Sequence, residues 1–480
     1  MSSSSTHKMV NIVAAYFVIL FISAESLNER LKNAQSNIIM KADIDADIDI
    51  GAYSMKKAFI NGIILDGSEN MQPQTGLSII TEGESIIDIV PAGSESADCE
   101  KIDLGGKYIM PGLINLHLHL PASGRPKKKQ SDVTKLVKIV TANALMRRVV
   151  ELVCAANAKT QLMSGVTTIR TVGGIMEFDG KIRDGINSGR LVGPRILAAN
   201  MAVSVPGGHM AGSLAYEAHS AEEASGFVAK IAEGKPDLIK LMITGGVLDA
   251  TKKGEPGALK MPPEYVKAAC DEAHRLGFKV AAHVESPEGV RVALENGVDT
   301  IEHGAEPDES ILELFKSTGA ALVTTISPAL PYALFDREIS HINETEQYNG
   351  EVVFKGMIDC AIACLAAGLP VGLGTDTGCP YVTQYDMWRE LNYFRKYCGV
   401  TNAFALHTAT MVNAEIAGLA DVTGSIDKGK CADFVVTAAN PLESLEALRE
   451  PAMVVARGKV YAQPKVKKMP QVERQLDLYK

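Results

Sequence analysis

Gly112-Leu113-Ile114-Asn115-Leu116-His117-Leu118-His119 is a short apolar run that ends with a histidine at every second position. Side chains on a β-strand alternate between its faces, so His117 and His119 point one way while Leu116 and Leu118 point the other. Two imidazoles side by side form a pair of donors for one metal ion. The preceding Pro111-Gly112 marks where the chain turns into the strand. A strand with two hydrogen-bonded core histidines would look the same, so the meaning of the pair depends on the other polar residues of the chain.

Downstream, strands alternate with helical stretches, the pattern of a parallel sheet built from βα units. Eight strands are expected: Leu113–His119, Thr167–Arg170, Arg195–Ala199, Leu238–Ile243, Lys279–Val284, Thr300–His303, Ala321–Ile326 and Pro370–Thr375. Helices such as Pro263–Leu276 and Ser286–Glu295 lie between them. Eight such units define a (β/α)8 TIM-type barrel, in which catalytic groups sit at the carboxyl ends of the strands. The candidate residues obey that rule. His117 and His119 close the first strand, Lys240 lies in the fourth, His283 ends the fifth, His303 ends the sixth, and Asp376 follows the eighth.

Each of these has a bland reading alone, as a core histidine or a turn-capping aspartate. Six polar groups at matching ends of barrel strands are hard to place except around a metal centre. Lys240 is the most informative, because an ammonium between Ile239 and Leu241 in a buried strand is costly unless paired. Either it pairs with Asp376 or a nearby carboxylate, or it is neutral and reacts with carbon dioxide. We favour the second: the resulting carbamate can bridge two zinc ions about 3.5–4 Å apart.

On both sides of the barrel lie short alternating strands with Gly, Asn and Ser turns. AFINGIILDG, LSIITEGESIIDIV and KIDLGGKYIM precede it, and GSIDKGKCADFVVTA and MVVARGKVYA come after it. The two chain ends are therefore expected to pair into one small β-sandwich domain. The expected organisation is an extension over residues 1–54, a β-domain from 55–112 and 422–480, and the barrel over 113–421.

Met9 to Ala24 is an apolar run of signal-peptide length behind Lys8, too short for a comfortable membrane span. The acidic ADIDADIDID after it looks like a linker. If translation starts near Met55 the protein is cytoplasmic; if residues 9–24 act as a signal peptide it is periplasmic or secreted. The net charge of -9 argues against a nucleic-acid surface. The eight scattered cysteines complete no zinc site and read as reduced thiols. The expected partners are a small amide or dipeptide substrate and further copies of the chain in a homo-oligomer, with no stable membrane span.

PGLINLHLH, the fourth-strand lysine, AHVESPEG, DTIEHG and GTDTG together resemble the amidohydrolase superfamily. The likeness is greatest to its metal-dependent Xaa-Pro dipeptidase and imidazolonepropionase-like group, with the ochratoxinase-like members. The resemblance covers roughly residues 55 to 465. It implies two zinc ions per chain, one bound by His117, His119 and Asp376, the other by His283 and His303, with carboxylated Lys240 bridging. The implied reaction is hydrolysis of an amide or peptide-type C–N bond by a metal-activated hydroxide, with Asp376 moving the proton. His209, in Pro206-Gly207-Gly208-His209, is expected to contact the substrate. Relatives usually place an aspartate where Thr171 follows Arg170, and many carry a His-Gly pair where CPYVTQYDMW follows Asp376; both departures leave the ligands intact and the substrate open.

Two rival readings remain. A mononuclear deaminase-like or cyclic-amidase site would use Glu285, two residues past His283, as general acid and base. A non-catalytic barrel would be expected to lose ligands. Pro331, Tyr332, Tyr381, Tyr385 and the sole tryptophan, Trp388, are expected to line the substrate pocket or to serve as packing.

Overall fold

The computed structural model describes residues 55–126 and 132–480. The signal-peptide, linker and alternative-start readings of residues 1–54 lie outside the described residues.

The eight expected strands are present: Leu113–Leu118 (β1), Val166–Thr171 (β2), Arg195–Ala198 (β3), Ile239–Met242 (β4), Val280–Val284 (β5), Thr300–His303 (β6), Ala321–Thr324 (β7) and Val371–Leu373 (β8). Most are buried along their whole length, as parallel strands covered on both faces must be. β1, β2 and β3 pair in parallel, as do β4 through β8.

Two seams join these groups into a ring. At the first, the third strand resumes at Ala202–Ser204 and pairs with β4 through Val203 and Leu241. At the second, the backbone N–H groups of Thr375 and Asp376 donate to the His117 carbonyl at 3.1 and 2.8 Å, and that of His119 donates to Thr377 at 2.9 Å. Gly374 permits this closure, since a Cβ there would lie 2.6 Å from the backbone nitrogen of His117. The last strand thus delivers Asp376 directly opposite the first strand's histidines.

The two ends of the chain meet in a pair of sheets. Lys56–Ile60, Leu77–Glu82, Ser85–Pro91 and Glu100–Asp103 form one; Tyr108–Pro111 runs antiparallel to Phe434–Thr437 in the other. Their apolar faces share Phe59, Ile79, Ile86, Ile109, Phe434 and Val455, with Phe59 and Phe434 edge-to-face at 5.5 Å. Among the described residues, no helix is long and apolar enough to cross a membrane.

Candidate metal centre

The barrel brings the six expected ligands to one mouth. The rings of His117 and His119 lie 5.6 Å apart, and their Nε2 atoms are 3.4 and 3.1 Å from Asp376 Oδ1. Asp376 adopts a left-handed φ of 50°, a conformation that side chains other than glycine hold mainly where the surroundings dictate it. Burial opposes its ionisation, but the two imidazoles outweigh that and hold its carboxyl well below the usual range.

His303 stands between the two halves of the cluster, 4.8 Å from the His117 ring and 4.6 Å from that of His283. Burial, together with neighbouring positive groups, pushes both His283 and His303 well below the ordinary imidazole range, so they are neutral donors. Lys240 is 1% exposed, and among the described residues its Nζ makes no hydrogen bond, although the charges of Glu302 and Asp376 act on it. Burial pushes its amine down to about 8.

Three histidines are oriented from behind. His117 Nδ1 meets Glu302 Oε2 at 2.7 Å, His119 Nδ1–H donates to the Gly173 carbonyl at 2.6 Å, and His303 Nδ1 lies 2.7 Å from the Thr325 hydroxyl. Such partners fix the ring tautomer and leave Nε2 toward the centre. Glu302 is itself held by Arg170 at 2.7 Å, and Arg170 also donates to the Leu116 carbonyl and to Thr300. Burial favours the protonated form of Glu302, but Arg170 and His117 prevail and lower its pKa far below the carboxylate range. Glu302→Gln should therefore destabilise the fold by about 3–5 kcal/mol, because Arg170 stays buried without its counter-charge. It should also weaken metal binding by about 10–100-fold. Urea unfolding and chelator competition on the same variant check both.

The donor set suits a divalent transition cation. His117, His303 and Asp376 place ligand atoms within 4.8 Å of one another, and so do His283, Glu285 and His303. The buried Lys240 Nζ and His283 Nε2, both without partners, are the groups that such an ion, or an anion shared by two ions, would satisfy.

His209 stacks flat on His283, ring centres 4.2 Å apart, and its Nδ1 lies 2.6 Å from Asp249 Oδ2. Asp249 also accepts from the Gly246 N–H at 2.8 Å. Neither Glu302 nor Asp249 stood out in the sequence as part of the site. Glu302 carried a usable signal, since a glutamate inside an apolar strand is as costly as Lys240. Burial pushes the Tyr332 hydroxyl well above its usual range, and the charges of Cys379 and Asp376 add to that. Tyr385 accepts from the Met469 N–H, Tyr381 donates to the Ile339 carbonyl, and Trp388 packs against Arg389 and Arg449. Tyr385 and Trp388 serve packing, because Met469 leads into the helix Pro470–Leu476 beside Tyr385, and the two arginines on Trp388 pair with Glu473 and Asp477.

A barrel with this ligand set at its mouth defines a metal-dependent hydrolase. The amidohydrolase family profile matches residues 108–461, and the chain belongs to that family, as a hydrolase acting on carbon–nitrogen bonds. A protein from Bifidobacterium longum, provisionally termed a prolidase, shares 36% identity, with a TM-score of 0.78 over 89% of this chain and 99% of that one. A Xaa-Pro dipeptidase solved with methionine in its active site is 29% identical, with a TM-score of 0.74 over 85% of this chain and 100% of that one. The ochratoxinase of Aspergillus niger is 26% identical over 372 residues, 72% of this chain and 73% of that protein.

Proposed function

We propose that this protein is a binuclear zinc amidohydrolase that cleaves the amide or peptide bond of a small substrate such as a dipeptide or an N-acyl amino acid. In this reading His117, His119 and Asp376 hold one zinc ion, His283 and His303 hold the other, and carboxylated Lys240 bridges them. The observation that carries it is Lys240, buried without a hydrogen-bond partner among the described residues and within electrostatic reach of Glu302, Arg170 and Asp376. The likeness to a prolidase and a Xaa-Pro dipeptidase supports a dipeptide as the substrate.

When bound, the cations supply the Lewis acidity that ionises water near neutral pH and polarises a carbonyl. The chain does the rest. Asp376 is ionised and accepts a proton from water at a carboxylate oxygen, then returns it to the departing nitrogen. His209, aligned by Asp249 and by its stacking on His283, presents Nε2 to the substrate.

A mononuclear aminohydrolase is the competing reading, favoured by the proximity of Glu285 to His283 and His303. It leaves Lys240 without a role. Metal analysis decides between them: two ions per chain are expected, and one ion per chain at full activity would refute the binuclear reading. A screen of Xaa-Pro and Xaa-Lys/Arg dipeptides, N-acyl amino acids and cyclic amides identifies the leaving group.

A further inference from the structure

Glu285 is a carboxylate at the barrel mouth that the proposed mechanism does not use. It lies just past β5, two residues after His283, so strand alternation sends both side chains to the same face. Its backbone is pinned on both sides. The Glu285 N–H donates to the Thr244 hydroxyl at 3.1 Å, and the helix Pro287–Glu295 starts at once, with Ser286 accepting from the Gly289 N–H and proline at its first position. The loop after β4 closes over it: a Cβ on Gly257 would lie 2.3 Å from the Glu285 carbonyl oxygen.

The side chain has little freedom and an unmet need. Among the described residues Oε2 is buried without a hydrogen-bond partner, although the Val247 backbone N–H reaches the same carboxyl. The nearest donors are not cationic side chains but the neutral imidazoles of His283 and His303, within 4.8 Å of its oxygen. His283 Nε2 is likewise buried and without a partner. Two nitrogens and one carboxylate oxygen converging on one point form a ligand set for a divalent metal.

We infer that Glu285 is a direct ligand of the ion held by His283 and His303. The inference rests on the proposed metal centre. With His283, His303, Glu285 and the bridging carbamate, that ion would have four donors, as the other would in His117, His119, Asp376 and the same carbamate.

The zinc-loaded wild-type protein tests this directly. Its crystal structure, with zinc located by anomalous scattering, should place a Glu285 oxygen about 2.0–2.2 Å from the ion on His283 and His303. In chelator competition, Glu285→Gln should lower the affinity for one of the two ions at least about tenfold and leave the other unchanged, a loss of the size that disturbed metal sites show. Far-UV circular dichroism confirms that the variant is folded, and the wild-type structure does not depend on it. Zinc on His283 and His303 with Glu285 turned away would overturn the inference while leaving the binuclear reading intact. Unchanged affinities in the variant, with KM raised only for dipeptides bearing a free ammonium, would assign Glu285 to the substrate instead. Absence of zinc from His283 and His303 would sink the metal-centre reading itself.

Discussion

Lys240→Ala should remove nearly all turnover while the barrel stays folded. The variant deletes the amine on which the bridging carbamate would form, and with it the one anion that two ions share. Short carboxylic acids added to the assay should restore part of the rate by supplying a surrogate bridge. Turnover at the wild-type level would show that Lys240 is structural only. Lys240→Met should be as inactive yet more stable without metal. Burial has lowered the amine from 10.5 to about 8, so between those values the unfolded chain binds the proton that the folded chain releases. Stability of the metal-free protein therefore rises as pH climbs through that window, and below it the fold bears the full cost of a buried cation. Methionine removes that cost, on the order of 3 kcal/mol at neutral pH. Chemical unfolding of the chelator-treated proteins measures it: the wild type should gain stability between pH 8 and 10.5, and the methionine variant should show no such gain.

Asp376→Asn should retain metal and substrate while kcat falls by about 10²–10⁴, the usual worth of general acid–base catalysis. The substitution suits the site, since asparagine tolerates the left-handed φ of 50° that Asp376 holds. It also keeps one oxygen to face the Nε2 atoms of His117 and His119, but it cannot accept a proton. If the residue only holds zinc, the loss should instead follow metal occupancy and be recovered with excess zinc. A fully metallated Asn variant within a few-fold of wild type would refute the proton shuttle. Turnover and zinc content measured on the same preparation separate the two cases.

Much of this architecture was readable along the chain. The eight barrel strands are apolar runs of strand length between helical stretches, and burial on both faces leaves that imprint locally, whatever the partner. His117 and His119 declared themselves by alternation, a property of one strand, and Lys240 by the cost of a charge in an apolar run. The pairing of the two chain ends followed from a shared texture and is realised between Tyr108–Pro111 and Phe434–Thr437.

Other features were decided only by tertiary structure, because they join atoms far apart in the chain or break the local period. Glu302 and His303 are consecutive and by alternation should face opposite ways. The left-handed φ of 72° at His303 lets the first orient His117 while the second joins the cluster. His209 and Asp249 become a pair only where the loops after the third and fourth strands meet. Tyr385 and Trp388 have the composition of a pocket, yet they pack beside the C-terminal segment, and no local pattern records which segment will cover a surface. Periodicity reports what one strand must bury; closure of the ring decides which charges then face one another.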